Sequence, residues 1–403
     1  MKILYFGTVC DPATYDRRLT GCRTKPSVAP VVFENALLSG FYQNGAEVEI
    51  HSYPMIPAFP DSRMLHFGGT EEALPGGYTC RWLNTVNLPV LRQLSRRADA
   101  CRILRQWMKA NASDGIVFTY AIPPFFAKDV LHYAKKYGVK AVAIIPDLLR
   151  DMYLNEAPSL KTMLKQWYIR PTLQAQGDYD GYIYLTEAMH DVVAPDKPYI
   201  VMEGIANLTD AVADPCEKAS PRAVMYAGML HEKYGILNLV DAFERLETDA
   251  ELWLFGNGTA VPEIERRAAK NPRIRWFGTV PRSEILMRER QAAVLVNPRD
   301  AGEAFTEFSF PSKTIEYMLS GTPLVTTRLK GIPAEYFEYV IPAGSGTTEE
   351  LADGLRRALE MDDAQRADFG ERARQFVTGH KNARHQAARI LAFLEEIRHD
   401  TAH

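Results

Sequence analysis

The feature that most constrains this chain is an alternation of short apolar strands and longer amphipathic segments that runs through it twice. KILYFG (2–7), VEIHSY, YTCRWL, GIVFTY, VKAVAIIPD and GYIYLT are β-rich runs in the first half. Helical periodicity falls between them near 31–44, 90–110, 125–137 and 158–175. After 220 the pattern starts again, with AVMYAGML, AELWLFG, IRWFG, AVLVNP and PLVTT separated by GILNLVDAFERL, VPEIERRAAKN and SEILMRERQA. Strand and helix in turn at this pace predict two doubly wound parallel sheets, with a linker near 205–220. Two more helices are expected at roughly 347–376 and 382–398. The length of 403 residues gives room for two cores.

Two stretches of the first half resist this pattern. Residues 8–30 read as a long loop leaving the first strand, with Arg17, Arg18 and Arg23 as its cations. Residues 54–77 form a Pro/Gly-rich excursion. Ligands of open parallel sheets collect at C-terminal strand ends, so both are candidate binding loops. LRQLSRRADACRILRQWMKA (91–110) reads as a basic amphipathic helix with Arg92, Arg96, Arg97, Arg102, Arg105 and Lys109 against Asp99. Such a helix can rest on an anionic membrane or simply pack on the sheet. Charge is uneven along the chain: residues 1–200 hold 22 Lys and Arg against 19 acids, and residues 201–403 hold 25 against 31.

Several classes are disfavoured. The five cysteines are scattered without CxxC spacing, which fits a reduced, cytoplasmic setting better than a disulfide scaffold. No run approaches the ~18 apolar residues of a membrane span, and ILYF is too short for a signal peptide. No GxGxxG follows the first strand, so a dinucleotide-dependent oxidoreductase is set aside. No paired-aspartate metal motif is evident, and nothing suggests a nucleic-acid partner.

The stretch EAFTEFSFPSKTIEYMLSGTPLV (303–325) carries the most chemistry. A helix is expected to start near 310, with Pro311 in its first turn, Ser309 or Ser312 as cap, and Gly321 as its left-handed terminator. Ile315, Met318 and Leu319 would face the core. Ser312, Lys313 and Glu316 would share the other side. Free amides and a lysine at the helix start suit a phosphate. Glu316 would repel one, so its expected partners are neutral sugar hydroxyls.

The ordered motifs YAGMLHEKYGILNLVDAF, LWLFGNG, IRWFGTVPRSEI, VLVNPR and SFPSKTIEYMLSGTPLV resemble the donor-binding half of glycosyltransferase family 4, retaining enzymes of the two-domain GT-B fold. The likeness spans about 222–342; the first half is similar in layout only. It implies an α/β GT-B chain of two Rossmann-like domains facing across a cleft. These are an acceptor-binding domain at 1–205, a nucleotide-sugar domain at 206–380, and a C-terminal helix at 381–403 crossing back to the first domain.

The resemblance assigns roles. Gly228 would let donor phosphates approach the backbone, and Lys233 would neutralise the leaving diphosphate. Gly256 and Gly258 resemble the next turn, and the segment Phe277–Val280, with Gly278 and Val280, resembles the base-reading loop. Glu316 occupies the second glutamate of the family's Glu, seven residues, Glu pattern and would hold ribose. Ser309, Pro311, Ser312 and Lys313 complete the donor site.

Two positions depart from the family. Met229 stands where an arginine is usual, so a cationic contact is missing or is supplied by Arg299 or Lys313. Phe308 stands at the first glutamate, so either Glu307 reaches the donor sugar or backbone donors replace it. In the first half, Asp147 of IIPDLL aligns with a polar cleft position, and Pro146 stands where a histidine would be sought. His231 either touches the donor or is solvated. Lys233, Glu307 and Asp147 are therefore the candidate catalytic residues.

The activity implied is transfer of a sugar from a nucleotide donor, UDP or GDP type, to a glycan or lipid-linked acceptor. It would proceed without metal or cofactor, in polysaccharide or glycoconjugate synthesis, in the cytoplasm or at the inner face of the membrane. The alternative is a catalytically silent nucleotide-sugar-binding partner.

Overall fold

The computed structural model describes residues 1–24, 26–148, 169–208 and 216–399. The expected helix near 158–175 and linker near 205–220 fall partly outside these residues. The chain divides into two compact units. One is built from Met1–Ile205 with Ala383–His403, the other from Ala206–Asn382.

Unit 1 contains β1 (Lys2–Gly7), β2 (Glu47–Ser52), β3 (His66–Phe67), β4 (Glu71–Ala73), β5 (Thr79–Trp82), β6 (Thr85–Val86), β7 (Gly115–Tyr120), β8 (Lys140–Ile145), β9 (Gly181–Tyr184) and β10 (Tyr199–Val201). Eight of them form one sheet in the order β10-β9-β8-β7-β1-β2-β5-β4, parallel except for the β4–β5 pair, while β3 and β6 pair separately. Its helices are α1 (Pro12–Leu19), α2 (Ala29–Gln43), α3 (Leu91–Ala110), α4 (Ala127–Tyr137) and α5 (Ala188–Val193).

Unit 2 is a six-stranded, all-parallel sheet in the order β13-β12-β11-β14-β15-β16. Its strands are β11 (Ala223–Ala227), β12 (Glu251–Phe255), β13 (Ile274–Trp276), β14 (Val294–Asn297), β15 (Leu324–Thr326) and β16 (Ile341–Pro342). The helices are α6 (Ile236–Glu244), α7 (Val261–Ala268), α8 (Arg282–Gln291), α9 (Lys313–Leu319), α10 (Thr348–Glu360) and α11 (Asp363–His380). Apolar clusters lie on both faces of this sheet, as a parallel sheet requires. The last helix, α12 (Ala383–His399), packs on α2 of unit 1. Gly40 permits the close approach: a Cβ there would lie 2.1 Å from the carbonyl oxygen of Ala383.

The structure corrects three expectations. Residues 8–30 are not all loop, because Asp11 caps α1 through the Thr14 amide at 2.8 Å and Pro12 occupies its first turn. The helix expected at 347–376 is two. The capping boxes Thr347/Glu350 and Asp362/Gln365 each start a new helix. The helix expected near 310 begins at Lys313, with no side-chain cap from Ser312, and runs only seven residues.

The basic face of α3 is also largely spent within unit 1. Arg96 is buried and donates to the Thr85 hydroxyl and the Pro54 carbonyl. Arg97 makes a two-pronged pair with Asp129, and Arg102 pairs with Asp99 at 2.7 Å. Of its apolar residues, Leu91 and Leu94 are exposed, whereas Ile103, Leu104 and Trp107 are buried. No helix of the described residues is long and apolar enough to cross a membrane.

Candidate active site

In unit 2 the parallel topology gathers the ends of β11, β12, β13 and β14 along one edge, and their backbones meet closely there. The Gly228 amide donates to the Phe255 carbonyl at 3.0 Å, and the Gly256 amide donates to Gly278 at 2.7 Å. Gly256 has φ +122°, and a Cβ on it would lie 1.8 Å from the Gly228 carbonyl oxygen. A Cβ on Gly258 would meet the Leu230 carbonyl at 2.3 Å. Close packing of strand-end backbone therefore accounts for both glycines of FGNG. Gly278 differs: φ is +68° and nothing stands near a would-be Cβ. Beyond it, Val280 packs at the margin of the core, and Phe277 stacks on Phe255 with centroids 4.6 Å apart.

The two cations assigned to the diphosphate come together on one aromatic shelf. Tyr234 and Phe305 meet edge to face at 5.7 Å. The Lys233 ammonium lies 5.3 and 5.9 Å from their centroids, and the Arg299 guanidinium carbon lies at the same distances. Lys233 is exposed, while Arg299 is half-buried with its Nη1 lacking an internal hydrogen-bond partner. Burial lowers the Arg299 pKa from its usual range. A partly desolvated guanidinium with an unused donor is suited to a phosphate oxygen. Gly235 sets the loop between them: φ is +75°, and a Cβ there would lie 1.9 Å from the Pro298 carbonyl oxygen. Met229, where an arginine is usual, points outward and is about half exposed. His231 is tied down, its Nδ1 accepting from the Thr259 amide at 3.1 Å.

The motif helix α9 supplies the second group. Ile315, Met318 and Leu319 are buried, and Gly321 follows with φ +73°. On its other side Lys313 forms an ion pair with Glu316, and Arg282 of α8 reaches the second oxygen of Glu316 at 3.0 Å. Burial acts to raise the Glu316 pKa, but Lys313, with the neighbouring Glu289 and Arg282, outweighs it and holds the carboxyl below its usual value. Arg282 and Glu289 were not singled out from sequence. No periodic or motif signal marks them, because they become relevant only when α8 packs beside α9.

The remaining candidates are dispersed. Ser309 and Pro311 lead into α9, and Ser312 before it is exposed. Glu307 closes a short 3-10 turn and pairs with Lys330 at 3.1 Å. Asp147 belongs to unit 1, two residues beyond β8; its side chain opens to the surface, yet nearby protein withholds enough water to raise its carboxyl pKa. Asn297 Nδ2 and the Thr326 and Thr327 hydroxyls are buried at the β14 and β15 ends without internal partners. Among the described residues no three His, Cys, Asp or Glu side chains cluster as a metal centre needs.

Residues 221–361 match the family model described as Glycosyl transferases group 1. No curated protein matches the sequence. Among solved structures, Anabaena HepE in complex with UDP is similar at 14% identity and TM-score 0.61, covering 98% of this chain and all of that one. The sucrose-phosphate synthase of Thermosynechococcus elongatus is 13% identical with TM-score 0.62, over 98% of this chain and 99% of that one. An E. coli trehalose-6-phosphate structure bound with UDP-2-fluoro glucose is 12% identical with TM-score 0.60, again over 98% and 99%. The chain's fold is thus GT-B, and its residues 221–361 are similar to the group 1 glycosyl transferases.

Proposed function

We propose that the chain transfers a sugar from a nucleoside diphosphate donor to a hydroxyl of a glycan or lipid-linked acceptor. The observation that carries this reading is the pairing of Lys233 and Arg299 on the Tyr234/Phe305 shelf, within the domain that also holds Glu316 as an ionised carboxylate. Two cations match a diphosphate and a carboxylate matches ribose hydroxyls. UDP is the donor nucleotide the relatives favour, since HepE is described in complex with UDP and the E. coli structure with UDP-2-fluoro glucose.

Breaking the anomeric C–O bond sends its electron pair to the diphosphate while the sugar becomes oxocarbenium-like. The acceptor oxygen then bonds the anomeric carbon, and its proton passes to the departing diphosphate oxygen when attack comes from the same face. Retention follows from that course. The protein's task is to stabilise the growing diphosphate charge with fixed cations, a role for Lys233, Arg299 and Lys313. This needs no resident metal. Asp147 is the candidate catalytic residue of unit 1, and synthesis of a surface polysaccharide or glycoconjugate is the setting proposed.

The pairing of Glu307 with Lys330 and the presence of Phe308 also favour a second reading, a nucleotide-sugar-binding partner without turnover. A panel of UDP- and GDP-sugars, assayed for released nucleotide with and without glycan and polyprenyl-linked acceptors, tests both. Turnover supports the transferase, and binding without turnover supports the partner. Glu316→Ala is expected to weaken UDP binding about tenfold or more. Unchanged affinity by calorimetry would remove the ribose assignment.

A further inference from the structure

Glu289 lies in the last turn of α8 with its side chain wholly buried. Neither carboxyl oxygen meets an N–H or O–H donor among the described residues. The Lys313 ammonium stands 3.8 Å away, beyond hydrogen-bond reach. That same ammonium pairs with Glu316, so the two carboxyls lie beside one lysine, close enough to act on each other. Two carboxylates close together in a buried place disfavour each other's ionisation, which favours a proton on one of them.

The surroundings decide which carboxyl holds it. Glu316 has the close ion pairs with Lys313 and Arg282, while Glu289 has only the same Lys313 at 3.8 Å. Tyr317, the remaining titratable group facing Glu289 from α9, has its phenol committed to the backbone of Ala227. Burial first and the Glu316 charge second push the Glu289 carboxyl up to about 9, with Lys313 and Arg282 only partly opposing them.

We propose that Glu289 is a positioning residue for the nucleotide site: protonated, it donates a hydrogen bond to Glu316 and fixes that carboxylate in the orientation that receives the ribose hydroxyls. The inference rests on the reading of Glu316 as the ribose ligand. Lys313 and Arg282 draw on one oxygen each, and the Glu289 proton adds a third restraint from the protein interior. Rotation of the carboxylate is thereby limited before the donor arrives. Loss of the proton would set two negative charges against each other and turn Glu316 away.

The test combines a ligand-free and a ligand-bound measurement on wild type, Glu289→Gln and Glu289→Leu. Infrared absorption of protonated carboxyl groups at about pH 8 is expected in wild type and missing from the Gln variant, because a buried carboxyl with a raised pKa is still protonated there. UDP affinity by calorimetry is expected to be flat to about pH 8 and to fall about tenfold by pH 10 in wild type. The Gln variant, whose amide can donate to Glu316 at any pH, should stay within about threefold of wild type at pH 7 and lose the alkaline decline. The Leu variant, which cannot donate, should bind about tenfold more weakly at pH 7.

A missing infrared band overturns the inference whatever the nucleotide does. UDP affinities and alkaline profiles identical in all three proteins overturn it while leaving the ribose reading standing. If the band is present and no nucleoside diphosphate binds wild type, the ribose reading fails and the positioning role falls with it.

Discussion

The phenol of Tyr317 closes a hydrogen-bond pair with the backbone of Ala227, accepting from its amide at 2.8 Å and donating to its carbonyl at 3.1 Å. Strand pairing between β11 and β14 is registered at Val224–Val294 and Met225–Leu295. Two residues further on, the side chain of the motif helix takes the place of the neighbouring strand. It thereby ties α9 to the strand end that carries Gly228.

Tyr317→Phe keeps the ring and removes the oxygen, leaving a buried amide and carbonyl without their partner. The expected cost is about 2 kcal/mol in urea unfolding of unit 2. UDP affinity is expected to fall as well, because α9 and the Gly228 turn lose their common anchor. A variant with unchanged unfolding midpoint would show that the pair contributes nothing.

Lys233 and Arg299 share one aromatic pair, so their contributions to binding should be coupled. Lys233→Ala and Arg299→Ala are each expected to weaken UDP about tenfold or more, with little effect on uridine, since a charge-assisted bond to phosphate is what each variant loses. Calorimetry with UDP and uridine on both single variants and the double variant checks this. Equal losses for UDP and uridine would move these cations away from the diphosphate.

The two turn glycines should respond differently to alanine. Gly256→Ala meets both a left-handed backbone and the Gly228 carbonyl oxygen 1.8 Å from the new Cβ, so the strand ends must separate. A loss of roughly 3 kcal/mol in stability is expected, with poorer nucleotide binding. Gly278→Ala has open space and only the backbone penalty of φ +68°, a loss of about 1 kcal/mol. Equal melting shifts for the two variants would contradict this assignment of causes.

The sequence was most legible where one local signal decides. Short apolar runs and period-3.6 patterning located the strands and most helices of unit 2, and the order of its motifs pointed to GT-B. Other features required local chemistry that patterning overrides. Asp11 and Pro12 start a helix inside what read as loop, and Thr347 and Asp362 divide one apparent helix into two. The site was legible in parts. Glu316 and Lys313 stand on one helix and could be paired by spacing. The convergence of Lys233 with Arg299, 66 residues apart, and of Glu289 with Glu316 depends on how β14 and α8 pack, which no local window contains. The partners of the basic face of α3 were hidden for the same reason: Asp129 and Thr85, which engage Arg97 and Arg96, lie elsewhere in sequence.

Glu34 offers a test of buried charge in unit 1. Its side chain on α2 is wholly buried and accepts from the Tyr5 hydroxyl at 2.7 Å, the Thr8 amide at 2.9 Å and the Thr8 hydroxyl, pinning the turn after β1. Burial raises its carboxyl to about 7, and these donors only partly offset the shift. The native state therefore holds a proton that the unfolded chain releases near its ordinary value of 4.5. Below that pH both states are protonated and Glu34 adds no slope. Between the two values the unfolded state binds fewer protons, so stability falls as pH rises, and above about 7 the loss is complete. The stability of unit 1 in wild type relative to Glu34→Gln should accordingly decline by about 3 kcal/mol from pH 4.5 to pH 8 in urea titrations. A difference that stays constant across that range would mean that Glu34 is ionised in the native protein and that the Thr8 and Tyr5 donors fully replace the water it has lost.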